Sequence, residues 1–96
     1  MATIDITRSH SLGLESAKAK AETLAKGMQD KLGISWKWSG NDITFDATSG
    51  AAKGTTGRVK VEVDSIHVAI DLPFLLKALK GSIAAKVEKE LDSLIV

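Results

Sequence analysis

The sequence predicts an α+β fold: a two-layer sandwich in which a five-stranded antiparallel sheet, ordered 2-3-4-5-1, carries two helices on one face, in chain order β-α-β-β-β-β-α. Three observations predict it. Apolar and polar residues alternate through five short segments, the period of a strand with one covered face. In two longer segments the apolar residues recur three or four apart, the period of a helix with one covered stripe. Each strand has only one apolar face, so both helices must cover the same side of the sheet.

The first strand runs from Thr3 to Thr7, with Ile4 and Ile6 on one face and Thr3, Asp5 and Thr7 on the other. Ser9 and Ser11 offer capping oxygens where a helix should begin. Leu14, Ala17, Ala21, Leu24, Ala25, Met28 and Leu32 then form a stripe that Gly33 should terminate, because glycine enters the left-handed conformation cheaply. Period two returns with Ile34, Trp36 and Trp38, and with Ile43, Phe45 and Ala47, around the turn Ser39-Gly40-Asn41-Asp42. That hairpin predicts Trp38 opposite Ile43, Trp36 opposite Phe45 and Ile34 opposite Ala47, each apolar residue meeting another.

A second hairpin follows. With Asp64-Ser65 as a two-residue turn, Val63 faces Ile66, Val61 faces Val68 and Val59 faces Ile70. The other face then pairs Glu62 with His67 and Arg58 with Asp71. Between the hairpins, Thr48 to Gly57 is rich in small residues, with glycines at 50, 54 and 57, and reads as a flexible connection. Pro73 suits the first turn of a helix. Its stripe is Leu76, Leu79, Ile83, Val87, Leu91 and Leu94, flanked by Lys77, Lys80, Lys86 and Lys89.

Ninety-six residues match one domain, residues 1–96, able to bury roughly 60–68% of its unfolded surface without metal or disulfide support. Thirteen basic and twelve acidic side chains leave a net charge of +1. Nucleic-acid binding calls for a clustered basic surplus, so nucleic acid is not an expected partner. With no cysteine, disulfides, thiolate metal sites and cysteine nucleophiles are excluded, which suits a reducing compartment. The opening MATIDITRSH alternates instead of forming a charged leader and apolar run, and no segment approaches the ~18 apolar residues of a spanning helix. The expectation is a cytoplasmic protein without membrane insertion.

The residues that could carry chemistry are few. In Gly50-Ala51-Ala52-Lys53-Gly54-Thr55-Thr56-Gly57 the lysine precedes its glycine and a strand follows, whereas a phosphate-binding loop needs Gly-Lys-Ser/Thr opening a helix. His10 and His67, the two histidines, lack the three or four converging ligands a metal requires. No nucleophile-elbow pattern accompanies Ser9 or Ser11. No catalytic, metal-binding or cofactor-binding residue is therefore assigned, and no cofactor is expected. Trp36, Trp38 and Phe45 share the apolar face and read first as core filler; a gap left over that end of the sheet would make them an apolar ligand pocket.

Whole phrases carry a resemblance. Ile4-Asp5-Ile6-Thr7-Arg8-Ser9-His10-Ser11-Leu12-Gly13-Leu14 resembles the opening of the polyhydroxyalkanoic acid system family of small bacterial proteins. So does Phe74-Leu75-Leu76-Lys77-Ala78-Leu79-Lys80-Gly81, followed by Ile83, Val87, Leu91 and Asp92. Trp38, Gly40, Phe45, Gly54 and Gly57 extend it over nearly the whole chain. That family is named for genes lying near those of polyhydroxyalkanoate storage polyester and has no established activity, so the resemblance implies no catalytic residue. It implies instead a non-catalytic accessory or interaction protein of polyester storage, associated with the granule surface or with granule proteins. Surface contact would fall to the ends of the second helix, Phe74 and Leu75 at the start and Leu94, Ile95 and Val96 at the finish. The alternative is a binder of a small apolar or acyl ligand between sheet and helices, by analogy with helix-grip folds.

Overall fold

The computed structural model of the chain describes residues 3–48 and 53–95, with the backbone alone for Leu32 and Ile95. Its elements are β1 (Ile4–Ser9), α1 (Gly13–Leu32), β2 (Ser35–Ser39), β3 (Asp42–Asp46), β4 (Thr56–Val61), β5 (Ser65–Asp71), a 3₁₀ segment (Phe74–Leu79) and α2 (Lys80–Ile95). The strands form one antiparallel sheet, β1-β5-β4-β3-β2. This is the predicted order, read from the other edge.

Alternation decides what is buried. Ile4 and Ile6 of β1, Ile43 and Phe45 of β3, Val59 and Val61 of β4 and Ile66, Val68 and Ile70 of β5 are buried, whereas the residues between them are exposed or half-exposed. Against this face α1 lays Ala17, Ala21, Leu24, Ala25 and Met28, and α2 adds Val87 and Leu91, completing a single core cluster. The alanines let the backbone of α1 lie close to the sheet. Gly33 ends the helix at φ 71°, its N–H donating to the Gln29 carbonyl at 3.0 Å. Neither Ser9 nor Ser11 caps the start: Leu12 is the N-cap and has no side-chain cap bond.

The first hairpin has the predicted register. Trp36 faces Phe45 and Trp38 faces Ile43. Pairing continues through Ser39 and Asp42, which leaves Gly40 and Asn41 at the tip, Gly40 at φ 65°. The second hairpin does not. Val61 pairs with Ile66, Val59 with Val68 and Gly57 with Ile70, two residues away from the predicted alignment. The tip is Val63-Asp64, and Val63 is 64% exposed instead of facing Ile66. A shift of two keeps every side chain on its own face, so hydrophobic alternation cannot detect it. Favoured two-residue turns need positive φ, which no residue of either tip, Val63-Asp64 or Asp64-Ser65, adopts, so turn chemistry does not choose between the two registers. Nor are the predicted polar pairs made: His67 lies opposite Lys60 and Arg58 opposite Ala69.

The connection between the hairpins is also shorter than predicted. Residues 49–52 lie outside those described, but Thr55 is already buried and β4 starts at Thr56. Ala47 N–H donates to the Thr55 carbonyl, and Gly54 N–H to the Ala47 carbonyl, both at 2.8 Å. Gly57 is already within β4, and the Phe45 ring lies where a side chain at that position would be.

The predicted second helix divides. Pro73, with ψ 160°, precedes six residues of 3₁₀ helix, opened by Leu76 N–H donating to the Pro73 carbonyl at 2.9 Å. Only from Lys80 is the chain α-helical. No side chain caps the segment's start, and Gly81 and Ser82 are poor helix formers just beyond it. The tighter winding changes which residues the core receives. Leu79, expected in the buried stripe, is 50% exposed.

Candidate functional site

The polar side chains with chemical potential are committed to the fold. His10 follows β1, and its ring Nδ1 accepts the Leu12 N–H at 3.1 Å. Its Nε2 lies 3.1 Å from the Glu62 carbonyl oxygen, an arrangement that places the ring proton on Nε2. The His10 backbone N–H also donates to the Asp64 carbonyl at 2.9 Å. His10 thus holds the N–H of the N-cap residue and fastens the start of α1 to the β4–β5 turn. Neither ring nitrogen is left for a substrate.

On the solvent face of the sheet, His67 Nε2 lies 2.5 Å from Asp5 Oδ1 across the β1–β5 pair, in place of the predicted Glu62. Arg58 bonds Asp42 at 3.1 Å, not Asp71. Among the described residues no three His, Cys, Asp or Glu side chains gather to hold a metal. Arg8, at the end of β1 on the helix side, bonds Asp92 at 2.8 Å and Glu88 at 3.1 Å, one turn apart on α2. The hydrogen bond to Asp92, then that to Glu88, raises the guanidinium pKa above its ordinary value. The arrangement is a latch between α2 and the edge strand. Sequence periodicity missed it, although three of its parts, Arg8, Glu88 and Asp92, have complementary charge.

Trp36, Trp38 and Phe45 come together as expected, but not around an enclosed space. Phe45 is 5% exposed; the two tryptophans on edge strand β2 are half-buried beneath α1. Trp36 Nε1–H donates to Gln29 Oε1 at 3.0 Å, and Trp38 Nε1–H to Glu22 Oε1 at 3.1 Å. Lys18 Nζ stands 5.3 Å from the centre of the Trp38 ring, within cation–π range. The rings therefore fasten α1 over the sheet edge, and the depression beside Trp36 and Phe45 opens to solvent. A cleft between α1 and α2, lined by Leu24, Met28, Ile83 and Val87, has about 20 Å³ of room. That admits about one water and no acyl chain.

The apolar residues that the fold does not absorb lie elsewhere. Phe74 is 84% and Leu75 85% exposed, well beyond what isolated surface side chains need explain when they stand side by side. Leu79 adds a third on the same short segment. Leu94, named both in the stripe and as a candidate surface residue, is half-buried and packs on the core. The side chain of Ile95 and all of Val96 lie outside the described residues. The exposed segment hangs from a firm base. Leu72 is 6% exposed and its N–H donates to Thr3 Oγ1 at 3.2 Å. Gly54, at φ 94°, brings its backbone so near Pro73 that an added Cβ would stand 3.1 Å from the ring. The structure thus holds Phe74 and Leu75 out from the end of β5.

Fold and surface together define a small α+β protein whose prominent feature, among the described residues, is a projecting apolar segment. No helix among those residues is long and apolar enough to cross a membrane. Residues 4–95 match the family described as "Putative polyhydroxyalkanoic acid system protein (PHA_gran_rgn)", and the chain belongs to that family. Comparison with curated proteins and with solved structures gave no match. The family description names a storage-polymer system and no reaction.

Proposed function

We propose that this chain is a non-catalytic accessory protein of polyhydroxyalkanoate storage that attaches to the granule surface through Phe74 and Leu75. The observation that carries the reading is the exposure of Phe74 and Leu75, at 84% and 85%, on a segment that the rest of the fold positions but does not cover. The family description supplies the system. The commitment of both histidines and Arg8 to structural bonds supports a role without catalysis.

Burying a large apolar side chain is worth roughly 1.5–3 kcal/mol, so two such residues can dominate attachment to an apolar surface. Phe74→Asp with Leu75→Asp should therefore lower co-sedimentation with isolated granules by at least about tenfold. The far-UV circular dichroism should be unchanged, because neither side chain contributes to the core. Equal co-sedimentation of variant and parent would overturn the proposal, as would failure of the parent chain to sediment with granules.

A further inference from the structure

The surface that the projecting segment fits has a charge as well as a polarity. Between Asp71 and Glu88 the sequence contains no acidic residue, while Lys77, Lys80 and Lys86 fall within that interval. A 3₁₀ helix has three residues per turn, so positions three apart stand one above the other. Within the segment Phe74 and Lys77 consequently share one edge, Leu75 and Ala78 a second, and Leu76 and Leu79 the third; Lys80 and Gly81 follow as the first residues of α2, the Lys80 N–H still donating to the Lys77 carbonyl. The third edge is the one turned to the protein: Leu76 is half-buried and packs on the core. The first two are solvent-facing throughout, as are Lys80 and Gly81 after them.

This arrangement orders the segment by depth. At a rise of about 2 Å per residue, Lys77 and Lys80 stand roughly 6 and 12 Å behind Phe74 along the segment. If Phe74 and Leu75 enter an apolar layer, the two ammonium groups fall where a polar boundary would lie, and flexible lysine stems can reach it. Ala78 and Gly81, the small residues beside them, leave that approach unobstructed. Among the described residues neither lysine is in an ion pair, whereas Lys26 and Lys31 are. Their charge is available to an external partner. A neutral ester surface would use the apolar tip and leave both charges idle.

We infer that the partner of this segment is an anionic lipid surface, into which Phe74 and Leu75 insert while Lys77 and Lys80 bind the headgroups. The inference rests on the reading of the segment as the protein's contact surface and specifies what it contacts. Each lysine close to such a surface contributes about fivefold in partitioning, so the pair contributes about 25-fold.

The test is flotation of the full chain with vesicles of phosphatidylcholine alone, or with about one third phosphatidylglycerol to supply the negative surface potential. The parent chain should partition about 25-fold better into the anionic vesicles and lose that preference in high salt. Lys77→Gln with Lys80→Gln should abolish the preference, and Phe74→Ser with Leu75→Ser should weaken binding to both kinds of vesicle. Equal partitioning of the parent into both, or a preference unaffected by the lysine substitutions, overturns the inference. Retained granule attachment with no binding to anionic vesicles would also overturn it and point to an acidic granule protein, leaving the granule reading in place. Loss of both granule and vesicle binding in the parent would remove both.

Discussion

The chain contains two amphipathic segments of similar length, and the fold treats them differently. In α1 the middle of the stripe is fully buried: Ala17, Ala21, Leu24 and Ala25 are 0% exposed, and the tryptophans of β2 are bonded to its polar flank. The segment after Pro73 begins with more bulk, Phe74, Leu75, Leu76 and Leu79, yet none of its six 3₁₀ residues is buried. Only beyond Lys80 does packing resume, through Val87 and Leu91. Small residues bring a helix close to a sheet, whereas the large residues beyond the sheet's end are left uncovered by the rest of the described chain. Apolar content alone therefore does not measure a segment's contribution to the core, and the surplus outside it marks the surface available to a partner.

Substitutions should separate the two segments. The largest effect is expected inside the first: Leu24→Ala deletes a fully buried side chain between α1 and the sheet and should cost about 2–5 kcal/mol in denaturant unfolding. A loss below about 1 kcal/mol would show that α1 is not held as described. Next is Gly57→Ala. Its new Cβ would run into the Phe45 ring and stand 2.5 Å from the Ala69 carbonyl oxygen, a backbone atom held in the sheet, so destabilisation of about 1–3 kcal/mol is expected. A neutral result would mean that Phe45 lies elsewhere. The smallest effect belongs to the second segment: Phe74→Ala should change unfolding stability by no more than about 0.5 kcal/mol. A large loss there would mean that Phe74 is covered by its own chain, and the contrast between the segments would disappear.

The two hairpins show what could be read from the residues. At β2–β3, Gly40 sits where the turn needs positive φ, so local turn chemistry and hydrophobic pairing select the same register. At β4–β5 no glycine marks the tip. Pairings two residues apart satisfy the faces equally well, and the predicted contacts of Glu62 and Arg58 belonged to the wrong alternative. What separates the alternatives is long-range: the seat of Phe45 on Gly57, and the bonds from His10 to Glu62 and Asp64. The sheet order and the core stripe of α1 were legible because burial is periodic. The exposure of Phe74 and Leu75 was legible from their place at the end of the stripe, whereas that of Leu79 depended on 3₁₀ winding, which reassigns faces. Leu94 packs on the core as its place in the stripe predicts. The roles of Arg8 and His10 rest on partners more than fifty residues away.

Hydrogen exchange on the full chain, free and with granules added, tests the central claim most directly, because it reports on the projecting segment and the core in one experiment. The free chain should show fast exchange at the amides of residues 75–79 and slow exchange at Val59 and Val68 in the middle of the sheet. With granules, the segment should become protected while the sheet is unchanged. Protection of residues 75–79 already in the free chain, or no change there when granules are bound, would contradict the account.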